Sequence, residues 1–207
     1  MLPPVDVKVK TMRADLQIIQ DWIEPHSSVL DLGCGDGSFL ASLKREKQIF
    51  DCGLDLDTRN IQKCLEAGVN VIEQNLDKGL DNFSDKSFDT VLLAQTLQAV
   101  QKPDVLVEEM LRIGKNCIIT FPNFAYWRYR FYLLHKGRMP VSENIPYEWY
   151  NTPNIHFCTI RDFDALCHER NIKILNRTVV DEKYQHSSLI NFNQNFFGIN
   201  AIYHITR

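Results

Sequence analysis

Residues 29 to 39 read Val-Leu-Asp-Leu-Gly-Cys-Gly-Asp-Gly-Ser-Phe. A short apolar run enters Gly33, Gly35 and Gly37, and helix-forming residues follow. Glycines cluster in this way where a backbone turns sharply and approaches a ligand closely, because no Cβ stands in the way. A helix starting there offers unpaired N–H groups and the positive end of its dipole. A phosphate-cradling P-loop needs Gly-Lys-Ser/Thr at this point, and Asp36-Gly37-Ser38 has no lysine. A nicotinamide or flavin fingerprint needs Gly-x-Gly-x-x-Gly, but here Ser38 takes the last place and a glycine falls one early. Asp36 within the loop would also repel a pyrophosphate.

The remaining candidate is S-adenosylmethionine, which has no phosphate and carries a sulfonium and an ammonium group. Asp31, just before the glycines, and Asp36, among them, then make electrostatic sense. Gly53-Leu-Asp-Leu-Asp follows, so Asp55 stands roughly 20 residues past the first glycine, where a carboxylate can accept both ribose hydroxyls. Gln74-Asn75-Leu76-Asp77 can meet adenine N6 with an amide while Leu76 flanks the ring. Ala94-Gln-Thr-Leu-Gln comes after a later apolar run. The expected cofactor-binding set is Asp31, Gly33, Cys34, Gly35, Asp36, Gly37, Asp55, Leu56, Asn75, Leu76 and Gln95, with Cys34 as a small packing residue inside the loop. The plainer reading is that the glycines merely permit tight helix–strand packing. No catalytic residue can be named, and no histidine pair falls at metal-ligand spacing.

The elements that would position these residues follow from periodicity. Leu16, Ile19 and Trp22/Ile23 share one face of a helix over 9–23, which Pro25 stops. Strands are expected over 29–32, 52–56, 69–73, 88–93 and 116–121, with helices over 38–47, 58–67 and 103–111 between them and a polar, turn-like stretch over 77–86. Thr159 with Asp162 three residues on reads as a helix N-cap with an acidic partner, opening a helix to residue 170. Strands over 172–180 and 199–205 close the chain, with a polar loop between them in which no helix is expected. They should pair antiparallel as a hairpin at the sheet edge. The predicted fold class is α/β: a doubly wound parallel sheet with an antiparallel C-terminal edge hairpin and helices on both faces. The ligand would then sit at the carboxyl ends of the strands.

At 207 residues, one domain spanning 1–207 is expected, with residues 122–158 inserted as a lid or docking segment. Hydrophobic content of 44% and charged content of 24% are ordinary for a soluble globular protein. A net charge of −3 gives no bulk attraction to nucleic acid or to an anionic membrane. The longest apolar runs fall far short of a bilayer span, and the N-terminus lacks the pattern of a signal peptide. Cysteines at 34, 52, 64, 117, 158 and 167 form no CxxC pair and read as reduced, mostly buried thiols. A cytoplasmic protein with a small-molecule ligand is expected.

The ordered set of glycine loop, Asp55, Asn75 and Phe88-Asp89 resembles the class I S-adenosylmethionine-dependent methyltransferase fold, which is Rossmann-like, over residues 29–121 and less sharply over 159–207. That fold usually carries an acid where Asn75 stands, although an amide oxygen can still accept from adenine N6. Gln95-Thr-Leu-Gln, the run from Phe121 through Trp127-Arg-Tyr-Arg to Pro140, and the run from Pro146 through Trp149 to Phe163 closely resemble the methionine biosynthesis protein MetW family. The resemblance implies a link to homoserine O-acylation, with a homoserine O-acyltransferase as partner.

The middle segment carries several readings. Trp127, Phe131 and Leu134 share a helical stripe, while Arg128, Lys136 and Arg138 add charge. Such a stripe can pack on the sheet, dock a partner or stack single-stranded nucleic acid; the acidic net charge argues against the last. His156, between Ile155 and Phe157, reads as a hydrogen-bonded structural residue. Tyr147, Glu148, Trp149 and Tyr150 can line the mouth of the cofactor site or only close a lid. Two functions remain open: an accessory protein that senses S-adenosylmethionine or S-adenosylhomocysteine, and an active methyltransferase acting on a small molecule.

Overall fold

The computed structural model describes residues 14–142, 144–181, 190 and 192–207. Residues 9–13 of the expected first helix, and much of the polar loop before the last strand, lie outside them.

The chain alternates strand and helix from the start. α1 (Ala14–Trp22) leads to β1 (Ser28–Leu32), α2 (Ser38–Lys47), β2 (Phe50–Asp55), α3 (Thr58–Glu66), β3 (Val71–Glu73), β4 (Phe88–Ala94), α4 (Pro103–Ile113) and β5 (Gly114–Pro122). Then come α5 (Trp127–Lys136), α6 (Ile160–Glu169), β6 (Lys173–Val180), α7 (Gln194–Phe197) and β7 (Asn200–Thr206). The strands form one seven-stranded sheet in the order β3-β2-β1-β4-β5-β7-β6. β1 to β5 run parallel, and β7 pairs antiparallel with both β5 and β6. The chain winds outward in opposite directions from the neighbours β1 and β4, which opens a crevice at their carboxyl ends.

Side chains alternate across the strands with period two, and both faces are covered. Leu30, Leu32, Val91, Leu93, Ile119 and Phe121 pack against α4 and α6 through Met110 and Phe163. Val29, Leu92, Ile118 and Ile202 pack against α1, α2 and α3 through Ile19, Leu40 and Cys64. A strand buried on both sides reads as a continuous apolar run, as β4 does.

Local signals set the helix ends. The Asp57 side chain accepts from Arg59 N and caps α3. Thr159 and Asp162 form a reciprocal capping box on α6, as their spacing predicts. At the far end of β4, Asp89 ties three strands together. Its Oδ2 accepts from Ser28 N at 2.9 Å, and its Oδ1 lies 2.7 Å from Lys115 Nζ. The Lys115 and Ser28 hydrogen bonds hold this carboxyl down at about 2. Phe88-Asp89 therefore holds the sheet together.

The structure corrects two element readings. A helix, α7, stands where only loop was expected between the last two strands, because Asn193 caps it by accepting from Phe196 N. A short 3-10 turn, Leu76–Lys78, begins the stretch read as plain turn, capped in the same way by Asn75. Both depend on side-chain caps, which hydrophobic periodicity does not register.

Candidate functional site

A cavity of about 700 Å³ opens over the carboxyl ends of β1, β2 and β4. Gly33, Gly35, Leu54, Asp55 and Leu56 form one wall, Asn60 and Asp57 the rim, and Gln74 to Asp77 the far side. Thr96, Ala99 and Val100 close it from the β4 end, and Pro153 reaches in from the middle segment.

The glycine loop is bent over β2. Gly33 N and Cys34 N both donate to Leu54 O, at 2.8 and 3.0 Å. Gly33 has φ +81°, and a Cβ there would lie 2.8 Å from Thr96 Oγ1, so both conformation and space demand glycine. Gly35, at φ +58°, has nothing within 4 Å of where its Cβ would be and stands at the cavity wall. Gly37 is the N-cap of α2.

Asp55 holds this arrangement. Its Oδ2 accepts from Gly35 N at 2.9 Å, and its Oδ1 accepts from Asp57 N at 2.8 Å and Asn60 Nδ2 at 3.3 Å. The carboxylate thereby fixes the loop while lining the cavity. Beneath the loop lies Asp31, only 3% exposed, with its Oδ1 lacking a hydrogen-bond partner among the described residues. Burial, and secondly the like charge of Asp55, push its carboxyl up to about 7. A buried carboxyl oxygen without a hydrogen-bond partner is costly.

The other expected site residues divide. Leu56, Asn75 and Leu76 line the cavity with Gly33, Gly35 and Asp55. Asn75 Oδ1 is engaged with Asp77 N at 2.9 Å. Asp31, Cys34, Asp36, Gly37 and Gln95 are not among the lining residues. Cys34 turns its thiol under the loop to within 3.8 Å of Cys64 Sγ, where burial pushes both thiols up. Asp36 Oδ1 accepts from Ser38 N at the start of α2. Gln95 takes the left-handed conformation, φ +58°, and its backbone N and side-chain Nε2 both donate to Thr120 Oγ1 on β5.

Besides Leu54, Gln74 and Asp77, which neighbour expected residues, the expected set left out Asp57, Asn60, Thr96, Ala99, Val100 and Pro153. Thr96 adjoins Gln95 and was within reach of the argument. Pro153 had no local signal: a strap brings it in, and Ile155 N and His156 N pin that strap by donating to Gln98 O at 2.9 and 3.1 Å. His156 Nε2 lies 3.2 Å from Gln101 O, so the ring is hydrogen-bonded. Tyr147, Trp149 and Tyr150 are exposed and do not line the cavity. Asn123, fully buried, ties the middle segment to the sheet edge. Its Nδ2 donates to Asn195 O and Gly198 O, and its Oδ1 accepts from Ala125 N and Ile160 N. In α5 the packed residue is Tyr129, joined by Tyr126, Ile145 and Ile199, whereas Phe131 and Leu134 of the expected stripe are exposed. Among the described residues no group of three or more potential metal ligands occurs, and no helix is long and apolar enough to cross a membrane.

Residues 13–205 match the family model for methionine biosynthesis protein MetW. The chain belongs to the MetW family. Over 175 residues it is 38% identical to the bifunctional methionine biosynthesis protein MetXA/MetW of Rhodopirellula baltica, covering 79% of this chain and 28% of that protein. The match thus spans little more than a quarter of that relative. Among solved structures, an S-adenosylmethionine-dependent methyltransferase from Mesorhizobium loti has a TM-score of 0.69 at 15% identity, covering 94% of this chain and 98% of that one. A second, from Archaeoglobus fulgidus, has a TM-score of 0.67 at 18% identity, covering 94% and 92%. These two likenesses show the class I methyltransferase fold.

Proposed function

We propose that this MetW-family chain binds S-adenosylmethionine, or its product S-adenosylhomocysteine, in the glycine-lined cavity, and that it acts with a homoserine O-acyltransferase in methionine biosynthesis. The observation that carries the cofactor reading is Asp55, which lines the cavity and whose Oδ2 accepts from Gly35 N of the glycine loop, with a second carboxyl, Asp31, buried beneath that loop. The ammonium and sulfonium groups of the cofactor are electrostatic complements to this pair of carboxyls. The lining residues fit the rest of the molecule: Asp55 for the ribose hydroxyls, Asn75 with Leu76 for the adenine, and Gly33 and Gly35 where the loop backbone must approach the ligand closely. When bound, the cofactor supplies an electrophilic methyl group. The chain's own residues orient it, and Thr96, Val100 and Pro153 screen one side from water.

The partner half is supported by the Rhodopirellula relative, whose name joins MetXA to MetW in one protein. The test is acyltransferase activity with and without this chain, in the presence and absence of cofactor. A change in rate that depends on the chain is expected. Unchanged activity together with failure to co-purify would overturn the partnership.

A second reading, an active methyltransferase on a small molecule, draws on Gln95, Thr96 and Thr120, polar side chains clustered where β4 and β5 end beside the cavity. S-adenosylhomocysteine accumulating with a metabolite extract would favour it. Binding of cofactor without turnover across broad extracts would count against it.

A further inference from the structure

α5 is a poorly buried helix. Of Trp127–Lys136 only Tyr129 is buried, and the helix meets the body through a small cluster with Tyr126, Ile145 and Ile199. Phe131, Tyr132 and Leu133 are exposed, and Leu134 is 74% exposed. A ten-residue helix is shorter than the roughly 12–15 residues at which isolated helices become even marginal in water. Exposed apolar side chains one turn apart on such an element, as Phe131 and Leu134 are, mark a surface that another molecule covers. Its rings are already ordered: Trp127 meets Phe131 edge-on at 6.1 Å, and Phe131 stacks on His135 at 6.1 Å. Rigid aromatic anchors of this kind lose little entropy on docking.

Charge indicates what kind of molecule fits. From Phe121 to Ser142 there is no Asp or Glu, against Arg128, Arg130, His135, Lys136 and Arg138. The surface is locally basic on a chain whose net charge is −3. Arg128 lies 5.4 Å over the Trp127 ring, so part of the positive rim is held in place. A second copy of this chain is a poor occupant, because a two-fold contact sets identical patches face to face and brings like charges together. The complement is an apolar groove with an acidic rim.

We propose that Trp127, Phe131 and Leu134, flanked by Arg128 and Arg138, dock into an acidic-rimmed apolar groove on the homoserine O-acyltransferase. This rests on the partnership proposed above and names its surface. Side chains at spacings of three and four residues enter such a groove from one helix face.

The test measures binding of the full chain to the acyltransferase from the same organism, by titration calorimetry at low and physiological salt. The double variant Phe131→Ser with Leu134→Ser should weaken binding more than tenfold while circular dichroism, melting temperature and cofactor affinity stay unchanged. Arg128→Glu with Arg138→Glu should slow association and flatten its salt dependence. Wild-type binding retained in both variants overturns this surface and leaves the partnership intact. No binding by the unaltered chain overturns the partnership and this surface with it. A dimer of this chain that the serine variants dissolve, a salt-dependent affinity for single-stranded RNA that the glutamate variants abolish, or a drop in melting temperature without loss of partner binding would each assign the patch to a different occupant and overturn the proposal.

Discussion

Replacing Asp31 with Asn should stabilise the ligand-free protein at neutral and alkaline pH while weakening its hold on the cofactor. The carboxyl is 3% exposed, its Oδ1 has no partner among the described residues, and burial and Asp55 push it from 3.8 to about 7. In the unfolded chain the same group ionises near its ordinary value, so between about pH 4 and pH 7 the folded state binds a proton that the unfolded state has lost. Stability therefore falls as pH rises through this window and levels off above it. At ~1.4 kcal/mol per pH unit, the ceiling is on the order of 4 kcal/mol. Asn cannot ionise, and with partial relaxation of the site a gain of about 1–3 kcal/mol is expected at pH 8, shrinking towards pH 5. Urea unfolding of both proteins at the two pH values measures this. The cofactor's ammonium should favour the ionised carboxyl, so wild-type affinity should tighten as pH rises through about 7, and the Asn variant should be flat. An Asn variant less stable than wild type at pH 8, or an affinity that loosens with rising pH, would refute the reasoning.

Three further outcomes follow from the same geometry. Asp55→Ala should weaken cofactor binding by about 1–3 kcal/mol through lost charge-assisted hydrogen bonds, read by calorimetry. Gly35→Ala should fold with a strain cost of about 1 kcal/mol but lose cofactor affinity, because its methyl group projects at the cavity wall; equal affinity would remove Gly35 from the contact. Asn123→Ala strips two donor and two acceptor contacts from a buried position and should cost about 2–4 kcal/mol in thermal or urea unfolding, with the α6–β7 edge exchanging amide protons first.

How legible all this was depends on how local each cause is. The strand–loop–helix around Gly33, Gly35 and Gly37 was readable because a positive φ forces a residue type at its own position. The alternating buried strands were readable because their period of two shows in a short window. Asp31 was readable as an acid beside the loop, but its lost hydrogen bond was not, because that comes from β2, β4 and the helices closing over it. Gln95 was expected at the cofactor; its contact with Thr120, to which its backbone N and Nε2 donate, was not legible, because it depends on a left-handed backbone and on β5, far off in sequence. Pro153 reaches the cavity from a strap that Gln98 O anchors at Ile155 and His156, a contact between segments far apart in sequence. For α5, helical spacing alone suggested a packed stripe of Trp127, Phe131 and Leu134. The contacts go to Tyr126 and Tyr129 with Trp127 partly buried beside them, while Phe131 and Leu134 stay exposed, because the partners Ile145 and Ile199 come from distant segments.

The central claim is that the cavity over β1, β2 and β4 is an S-adenosylmethionine site. Calorimetric titration of the protein with S-adenosylmethionine tests it most directly: saturable one-to-one binding, released by S-adenosylhomocysteine and weakened in both Asp31→Asn and Asp55→Ala, is predicted, whereas no binding, or binding indifferent to both substitutions, would contradict it.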